Sequence, residues 1–378
     1  PNVGAKAPPT VLADLAMPNS RRPPHDMTVG GALCPDACPK TEMHHRPPAS
    51  SLAPSASPRT TFPSAVPDIP QIILILAPIF ALIALGTVLR RIQWLTPEAD
   101  NSLLRLGVNL FFPALIFNSV VGNTALHEPR NLLWPPLLGF VSICFGWLVS
   151  WAVGRAIGLE RGRGLRTFAF TAGFPNYSYV PILLIGALFP PATLGVLFVF
   201  TVGVEFAVWT VGILLLAGGS LREGWRKLLT PPVLALIGAV ALNALHFAPP
   251  APVRQTIAQL GACAVPLGLL LIGAFLDEHL RTPRSLLAPR VNLASIFVRL
   301  GLLPLALLAA ARWLPLSPEL KQVVVVQAAM PAGVFPIVLA KHYGGQPLTA
   351  AQIVMSTTAV SLFLIPLWMK FGFWWLAF

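Results

Sequence analysis

The chain has 378 residues, 55% of them hydrophobic and only 11% charged, with a mean hydropathy of +0.71. A soluble globular domain carries roughly 25% charged residues, so this composition excludes one and points to a polytopic all-α membrane protein. The formal net charge of +12 resembles a nucleic-acid signal, but the basic residues are spread over short loops and read as topology determinants, so no nucleic-acid partner is expected.

Residues 1–69 are a different material, rich in Pro, Ser, Ala and Arg and without an apolar period. Such a stretch cannot bury enough surface to offset its chain entropy. It lacks the n-region and continuous apolar core of a secretory signal, and position 1 is not Met. The expectation is a disordered tail, or coding sequence assigned upstream of the true start. Cys34 and Cys38, followed by His44 and His45, loosely resemble zinc ligands. In a coreless Pro-rich stretch no metal site is expected from them. Cys144 and Cys263 fall within apolar segments and read as inert core thiols.

From Gln71 onward the sequence predicts ten spanning helices, at roughly 71–90, 102–121, 132–154, 165–189, 192–217, 228–247, 256–276, 291–312, 321–342 and 350–370. The terminal FGFWWLAF reads as an interfacial aromatic anchor. Loops after the odd-numbered helices hold most of the cations: Arg90 and Arg91, then Arg155, Arg161, Arg163 and Arg166, then Arg222, Arg226 and Lys227, then Arg281, Arg284 and Arg290, and last Lys341. The opposite loops and the C-terminus hold only Arg130, Arg254, Arg312, Lys321 and Lys370. The positive-inside rule therefore puts the first set in the cytoplasm and both termini outside. The plasma (inner) membrane of a bacterium is the expected location.

Two of the ten segments are each interrupted by a pair of prolines. The fourth reads AGFPNYSYVPILLIGALF, around Pro175 and Pro181; the ninth reads AAMPAGVFPIVLAKHYGG, around Pro331 and Pro336. Proline removes a backbone donor and clashes with the preceding turn, so each segment must open near mid-membrane. Opened backbone is tolerated there only where it is buried in protein or lines a cavity. Pro113 in the second helix and Pro266 in the seventh are related by nearly the same offset as the two proline pairs. Ten helices then divide into five plus five, over 70–217 and 218–378. An odd number per half forces the halves into opposite orientations, which predicts an inverted repeat with helices 4 and 9 crossing near the bilayer centre.

Polar groups at membrane depth mark the candidate site. Asn176, Tyr177, Ser178 and Tyr179 lie between the prolines of helix 4. They read either as a site for a small polar substrate or as local repair of backbone freed by Pro175 and Pro181. Half-helix N-termini favour an anionic group such as a carboxylate. On helix 9, Gly333 and Ala332 allow close approach of another chain, with Gln327 the notable polar residue before the break. Glu205, near the middle of helix 5, and Arg299, well inside helix 8, each cost about 2.5–3.5 kcal/mol to insert on translocon scales and are functional candidates for that reason. The reading is ion coupling at Glu205 and a charge pair of Glu205 with Arg299, or Arg299 with the substrate, against a structural pair or a snorkelling arginine. Arg105 reads as an interfacial snorkeller. Asn109, Asn118 and Asn243 read as interhelical hydrogen-bond glue, and Asp277 and Glu278 as solvated. No phosphate loop, dinucleotide fingerprint or H-E-x-x-H motif is present, so neither an enzyme nor a cofactor is expected.

At these residues the chain resembles the auxin efflux carrier family, which includes plant PIN-type exporters and bacterial permeases for malate and malonate. The resemblance is carried by LRLGVNLFFPALIFNSV, GFPNYSYVPILLIG, LLTPPVLALIGAVAL, CAVPLGLLLIGAFL and QAAMPAGVFPIVLAKHYG, in that order over about residues 70–370. It implies a scaffold of helices 1, 2, 6 and 7, a mobile transport unit of the others, and a homodimer through the scaffold. It places the crossover asparagine at Asn176 and the crossover prolines at Pro175 and Pro331. The bacterial pattern Asn-x-Gly-x-x-Gly-x-Pro is replaced here by a shorter stretch from Asn176 to Pro181 holding two tyrosines, whose bulk reshapes the pocket. The expectation is a secondary carrier for a small organic anion, driven by a proton or sodium gradient, with Asn176 and Tyr177 on the carboxylate. The competing readings are a sodium-coupled bile-acid-type carrier, a cation antiporter of similar crossed-helix fold, and a receptor that binds without translocating.

Overall fold

A computed structural model describes residues 68–217, 229–281 and 283–377. The tail 1–67, with its Cys34, Cys38, His44 and His45 group, lies outside them, as does the loop 218–228 with Arg222, Arg226 and Lys227. Every regular element among the described residues is helical: α1 Ile69–Arg91, α2 Pro97–Val120, α3 Arg130–Ala156, α4 Leu165–Gly173, α5 Tyr179–Leu188, α6 Pro191–Leu216, α7 Pro231–Ala244, α8 Ala251–Leu280, α9 Pro289–Trp313, α10 Pro318–Ala329, α11 Phe335–His342 and α12 Pro347–Leu376.

Seven of these (α1, α2, α3, α6, α8, α9 and α12) are long and apolar enough to cross a membrane by themselves. The sequence expects ten spans. Its fourth and ninth are each divided into two short helices, α4 with α5 and α10 with α11, and its sixth is α7, a 14-residue apolar helix. The aromatic C-terminus is not a separate anchor but the last turns of α12, with Trp374 outward and Phe373 buried.

Prolines shape the long helices without ending them. A wide π turn at Gly107–Phe111 in α2 precedes Pro113 by two residues, and one at Val298–Leu302 in α9 precedes Pro304 by two. Local widening of this kind re-satisfies carbonyls that the missing proline N–H leaves free. A third π turn, Val208–Gly212 in α6, has no following proline and lies one turn beyond Glu205.

The centre of the bundle is α10, with Val323, Val324, Val325 and Val326 fully buried, together with α4 and the middle of α6. Four consecutive β-branched residues form a helix here because the surroundings are apolar on every side, and tertiary context overrides propensity. On the periphery α1 and α8 cross closely: Gly86 faces the Leu270 carbonyl, Gly273 faces the Ile83 carbonyl, and Thr87 Oγ1 donates to Gly273 O at 3.0 Å. Small residues that let backbones approach are the usual basis of helix association in lipid. At one end of this crossing Asp277 is clamped by Arg91 (2.7 Å) and Arg281 (2.9 Å). The sequence expects Asp277 to be solvated, whereas its side chain is fully buried between two guanidinium groups that are themselves more than half exposed; Glu278 alone faces outward. Cys263, expected in the core, is exposed, with Sγ 3.5 Å from Gln259 O, and Cys144 is half-buried.

Candidate functional site

Phe174 precedes Pro175 and Met330 precedes Pro331, and the residue before a proline is driven out of the α region. Phe174 accordingly has φ −99° and ψ 110°, Met330 φ −74° and ψ 138°, and both are the residues at which α4 and α10 stop. The other two prolines do different work. Pro181 is the third residue of α5 and Pro336 the second of α11, within the first turn, where a missing N–H costs nothing. Each interruption is thus a short extended link with a proline-terminated helix behind it and a proline-initiated helix ahead.

The two links meet. Pro175 and Ala332 form an antiparallel bridge, with Asn176 N donating to Pro331 O at 2.8 Å and Gly333 N to Phe174 O at 3.0 Å. A Cβ on Gly333 would stand 2.9 Å from Pro175 O and 3.0 Å from the Phe174 ring, so a larger residue forces the links apart. Ala332 N is taken by Thr357 Oγ1 of α12 at 3.2 Å. The carbonyls at the end of α4 are met in turn by Trp147 Nε1, donating to Phe170 O at 3.1 Å, and by Arg299 Nη1, reaching Gly173 O at 3.4 Å. Buried backbone groups are almost always paired, and here the two links, with α3, α9 and α12, supply the pairing.

Around this backbone lies a set of polar and aromatic side chains. Tyr177 OH donates to Glu205 Oε1 at 2.5 Å, and Trp209 Nε1 donates to Glu205 Oε2 at 2.9 Å. Gln327 Nε2 of α10 donates to Tyr177 O at 2.9 Å, while its Oε1 is buried without a described partner. Phe174 meets Tyr177 edge-on at 5.4 Å, and Phe335 meets both Phe174 and Trp209. Tyr179 turns the other way, edge-on to Phe112 of α2 at 5.3 Å and against Gly268 of α8, where a Cβ would overlap the tyrosine ring. Two of the chain's three tyrosines therefore fasten the first link, one inward to α6 and one outward to α2 and α8.

Asn176, Pro331 and Val334 of the two links, with Ile83 of α1, Ile272 of α8 and Thr358 of α12, border a cavity of about 20 Å³, room for about one water. The sequence-predicted residues Pro175, Asn176, Tyr177, Pro331 and Gly333 are brought together directly, and Glu205 joins them through Tyr177. Arg299 lies at the end of α4, and no ion pair joins it to Glu205 among the described residues. Of the expected hydrogen-bond glue, Asn243 bridges Gly122 N and Asn123 O, while Asn109 and Asn118 are exposed; Arg105, expected as a snorkeller, is exposed too. Sequence reasoning did not single out Trp209, Thr357 or Thr358. The polar run Ser-Thr-Thr at 356–358, inside an otherwise apolar segment, was the available signal for the threonines.

The sequence pattern of the family described as membrane transport protein matches residues 71–223 and 220–369, nearly the whole described region. The chain belongs to the auxin efflux carrier family. Among its relatives is an uncharacterized transporter of the archaeon Methanothermobacter thermautotrophicus, 24% identical over 295 residues, which span 77% of this chain and 95% of the relative. Auxin efflux carrier component 3 of Arabidopsis thaliana is 29% identical over 145 residues, 36% of this chain and 22% of the plant protein. Auxin efflux carrier component 3a of Oryza sativa subsp. japonica is 28% identical over 143 residues, 36% and 23% of the two chains. The chain thus matches the archaeal transporter nearly end to end but spans under a quarter of each plant protein. Membership in the auxin efflux carrier family and the long apolar helices make this an integral membrane protein of a transporter family, not of an enzyme family.

Proposed function

We propose that this chain is a secondary active carrier for a small organic anion, a carboxylate, which works by alternating access around the crossing of its two broken helices. The observation that carries the reading is the backbone pairing of Phe174–Asn176 with Pro331–Gly333, because it sets four helix ends against one another inside the bundle. Two of those ends are the N-termini of α5 and α11, whose partial positive charge favours an anion. Asn176 and Tyr177 hold the carboxylate in this reading, and Pro175, Pro181, Pro331, Gly333 and Pro336 shape the backbone around it. A cavity with room for one water must open to admit any organic acid, which supports a carrier with more than one conformation. The name of the plant relatives, auxin efflux carrier, supports a small organic substrate.

The proposed architecture is ten spans in a five-plus-five inverted repeat, 70–217 and 218–378. A constant offset supports it: α5 and α11 open at Tyr179 and Phe335, α6 and α12 at Pro191 and Pro347, both pairs 156 residues apart. So do reciprocal bonds between the halves, from Thr193 Oγ1 of α6 to Gln322 Oε1 of α10 at 2.7 Å and from Gln346 N, before α12, to Thr167 Oγ1 of α4 at 3.0 Å. We place the carrier in a bacterial inner membrane with both ends outside, as a homodimer through α1, α2, α7 and α8. A proton gradient drives it through Glu205.

Counterflow in proteoliposomes with labelled malonate, malate, lactate and indole-3-acetate tests the reading. Saturable uptake of one compound is expected, at least tenfold lower in Asn176→Ala at unchanged expression and melting temperature. The same uptake in Glu205→Gln is expected to lose its response to an imposed pH gradient. Wild-type rates in Asn176→Ala would remove the substrate from the crossing; a sodium requirement with no pH response would remove the proton from Glu205.

A further inference from the structure

A cavity of about 200 Å³ opens at the corner where α2 and α7 finish and α8 begins, and none of its lining residues belongs to the crossing. It is about ten times the size of the cavity at the two links. Its walls are apolar, made by Phe117 and Val121 of the α2 end, Phe247 of the α7–α8 link and Ile257 of α8. Four exposed polar residues, Asn118, His127, His246 and Arg254, also border it. The two imidazole rings lie 4.9 Å apart, tilted by 51°. No aspartate or glutamate lines the cavity; Glu128, next to His127 in the chain, is outside it. Asn243 is also in the wall, but both ends of its amide are engaged, with Gly122 N at 2.8 Å and Asn123 O at 3.0 Å.

An apolar chamber with a few convergent polar groups is the ordinary form of a small-molecule site, and the sign of the charge here is set by a guanidinium with no acid beside it. We propose that this corner is a second binding site, distinct from the crossing, for an anionic group carried on a compact apolar body. Arg254 pairs with the anion through its planar donor fork, His127 and His246 flank it, and Phe117, Val121 and Ile257 enclose the body. Its position gives it leverage. Wall residues Gly122 and Asn243 belong to a hydrogen-bond chain that continues through Asn123, whose Nδ2 donates to Ala192 O at 3.0 Å, and so reaches the first turn of α6, the helix that carries Glu205.

Binding of labelled benzoate to the purified full-length protein, measured by scintillation proximity in the Asn176→Ala background, tests the site without the crossing. One saturable site per chain is expected, at least tenfold weaker in Arg254→Gln and in Val121→Trp, which fills the chamber. Arg254 is at the surface, so its variant retains wild-type elution and melting; Val121→Trp is counted only if it does the same. In nanodiscs, displacement of benzoate by phosphatidylglycerol but not by phosphatidylcholine would assign the anion to a lipid headgroup, and equal binding in both would assign it to a free acid. Either result keeps the site. Absence of saturable binding in the Asn176→Ala protein, or unchanged affinity in Arg254→Gln, overturns it, whatever becomes of the crossing.

Discussion

Arg299 has its guanidinium inside the bundle, the residue is 4% exposed, and its described bond is the 3.4 Å contact to Gly173 O. Its Nε has no described partner. Burying an ion costs several kcal/mol after relaxation, whereas a cation at a helix C-terminus recovers about 0.3–2 kcal/mol. The balance is unfavourable for stability, and the place of Arg299 at the end of α4, directly behind the two links, points to a part in transport. Arg299→Met keeps the volume and removes the charge. The expected outcome is an unchanged or raised melting temperature with counterflow reduced at least fivefold; a melting temperature lower by several degrees would mean that the arginine is a structural tie and no more. At this scale the sequence was informative wherever a residue type is out of place in hydrocarbon. Asn176, Tyr177, the four prolines, Glu205 and Arg299 all stand out in that way. Trp209 and Thr357 do not, because an indole or a threonine is ordinary on a membrane helix; the four-residue spacing of Trp209 from Glu205 was the available signal for the first, and the part of Thr357 is decided by which link comes alongside. The suggested pairing of Glu205 with Arg299 is absent for a related reason: Glu205 is taken by Tyr177 of the first link and by Trp209 one turn along its own helix, and Arg299 by the end of α4, contacts that the apolar pattern alone does not bring out.

At Gly86 and Gly273 the backbones of α1 and α8 touch directly. A Cβ on Gly273 would fall inside the van der Waals surface of the Ile83 carbonyl, and one on Gly86 inside that of Leu270; neither neighbour is a flexible side chain that can turn away. Overpacking typically costs 1–3 kcal/mol, and separating the helices would also break the Thr87–Gly273 bond and the Arg91–Asp277 clamp below it. Gly273→Val is therefore expected to lower the melting temperature in detergent by about 5 °C or more, whereas Gly238→Val on α7, where an added Cβ meets nothing, should leave it unchanged. Equal melting of the two variants would show that the crossing tolerates separation. Elements of this kind were largely legible from hydropathy, and their ends less so. The start of α8 at Ala251, not near 256, follows from the prolines at 249, 250 and 252, which initiate a helix as readily as they break one. α12 runs on to Leu376 because its aromatic end continues the helical face that packs inward through Phe373 and Leu376.

For the molecule as a whole the open question is how many times the chain crosses the bilayer, and helix length bears on it directly. α4 and α5 have 9 and 10 residues, α10 and α11 have 12 and 8. At 1.5 Å per residue each pair sums to about 30 Å of helix, the thickness of the hydrocarbon core, but no member of a pair spans it alone. If each pair crosses as one broken span and the 14-residue α7 crosses as well, the chain makes ten crossings; if only the seven long helices cross, the loops after the broken pairs change sides. Three exposed positions separate the cases: Arg163 before α4, Arg312 at the end of α9 and Lys341 at the end of α11. Ten crossings put Lys341 on the side of Arg163, opposite Arg312. Seven put it with Arg312. The experiment is labelling of Arg163→Cys, Arg312→Cys and Lys341→Cys, one at a time, by an impermeant maleimide in right-side-out vesicles of a variant with its four native cysteines replaced by serine. The expected outcome is labelling of Arg312→Cys in intact vesicles, and of the other two only after permeabilisation, since the positive-inside rule keeps the arginine-rich α3–α4 loop in the cytoplasm. Labelling of Lys341→Cys together with Arg312→Cys would mean that α10 and α11 enter and leave on the same side, and the crossing would then be a re-entrant pair with access from one face only.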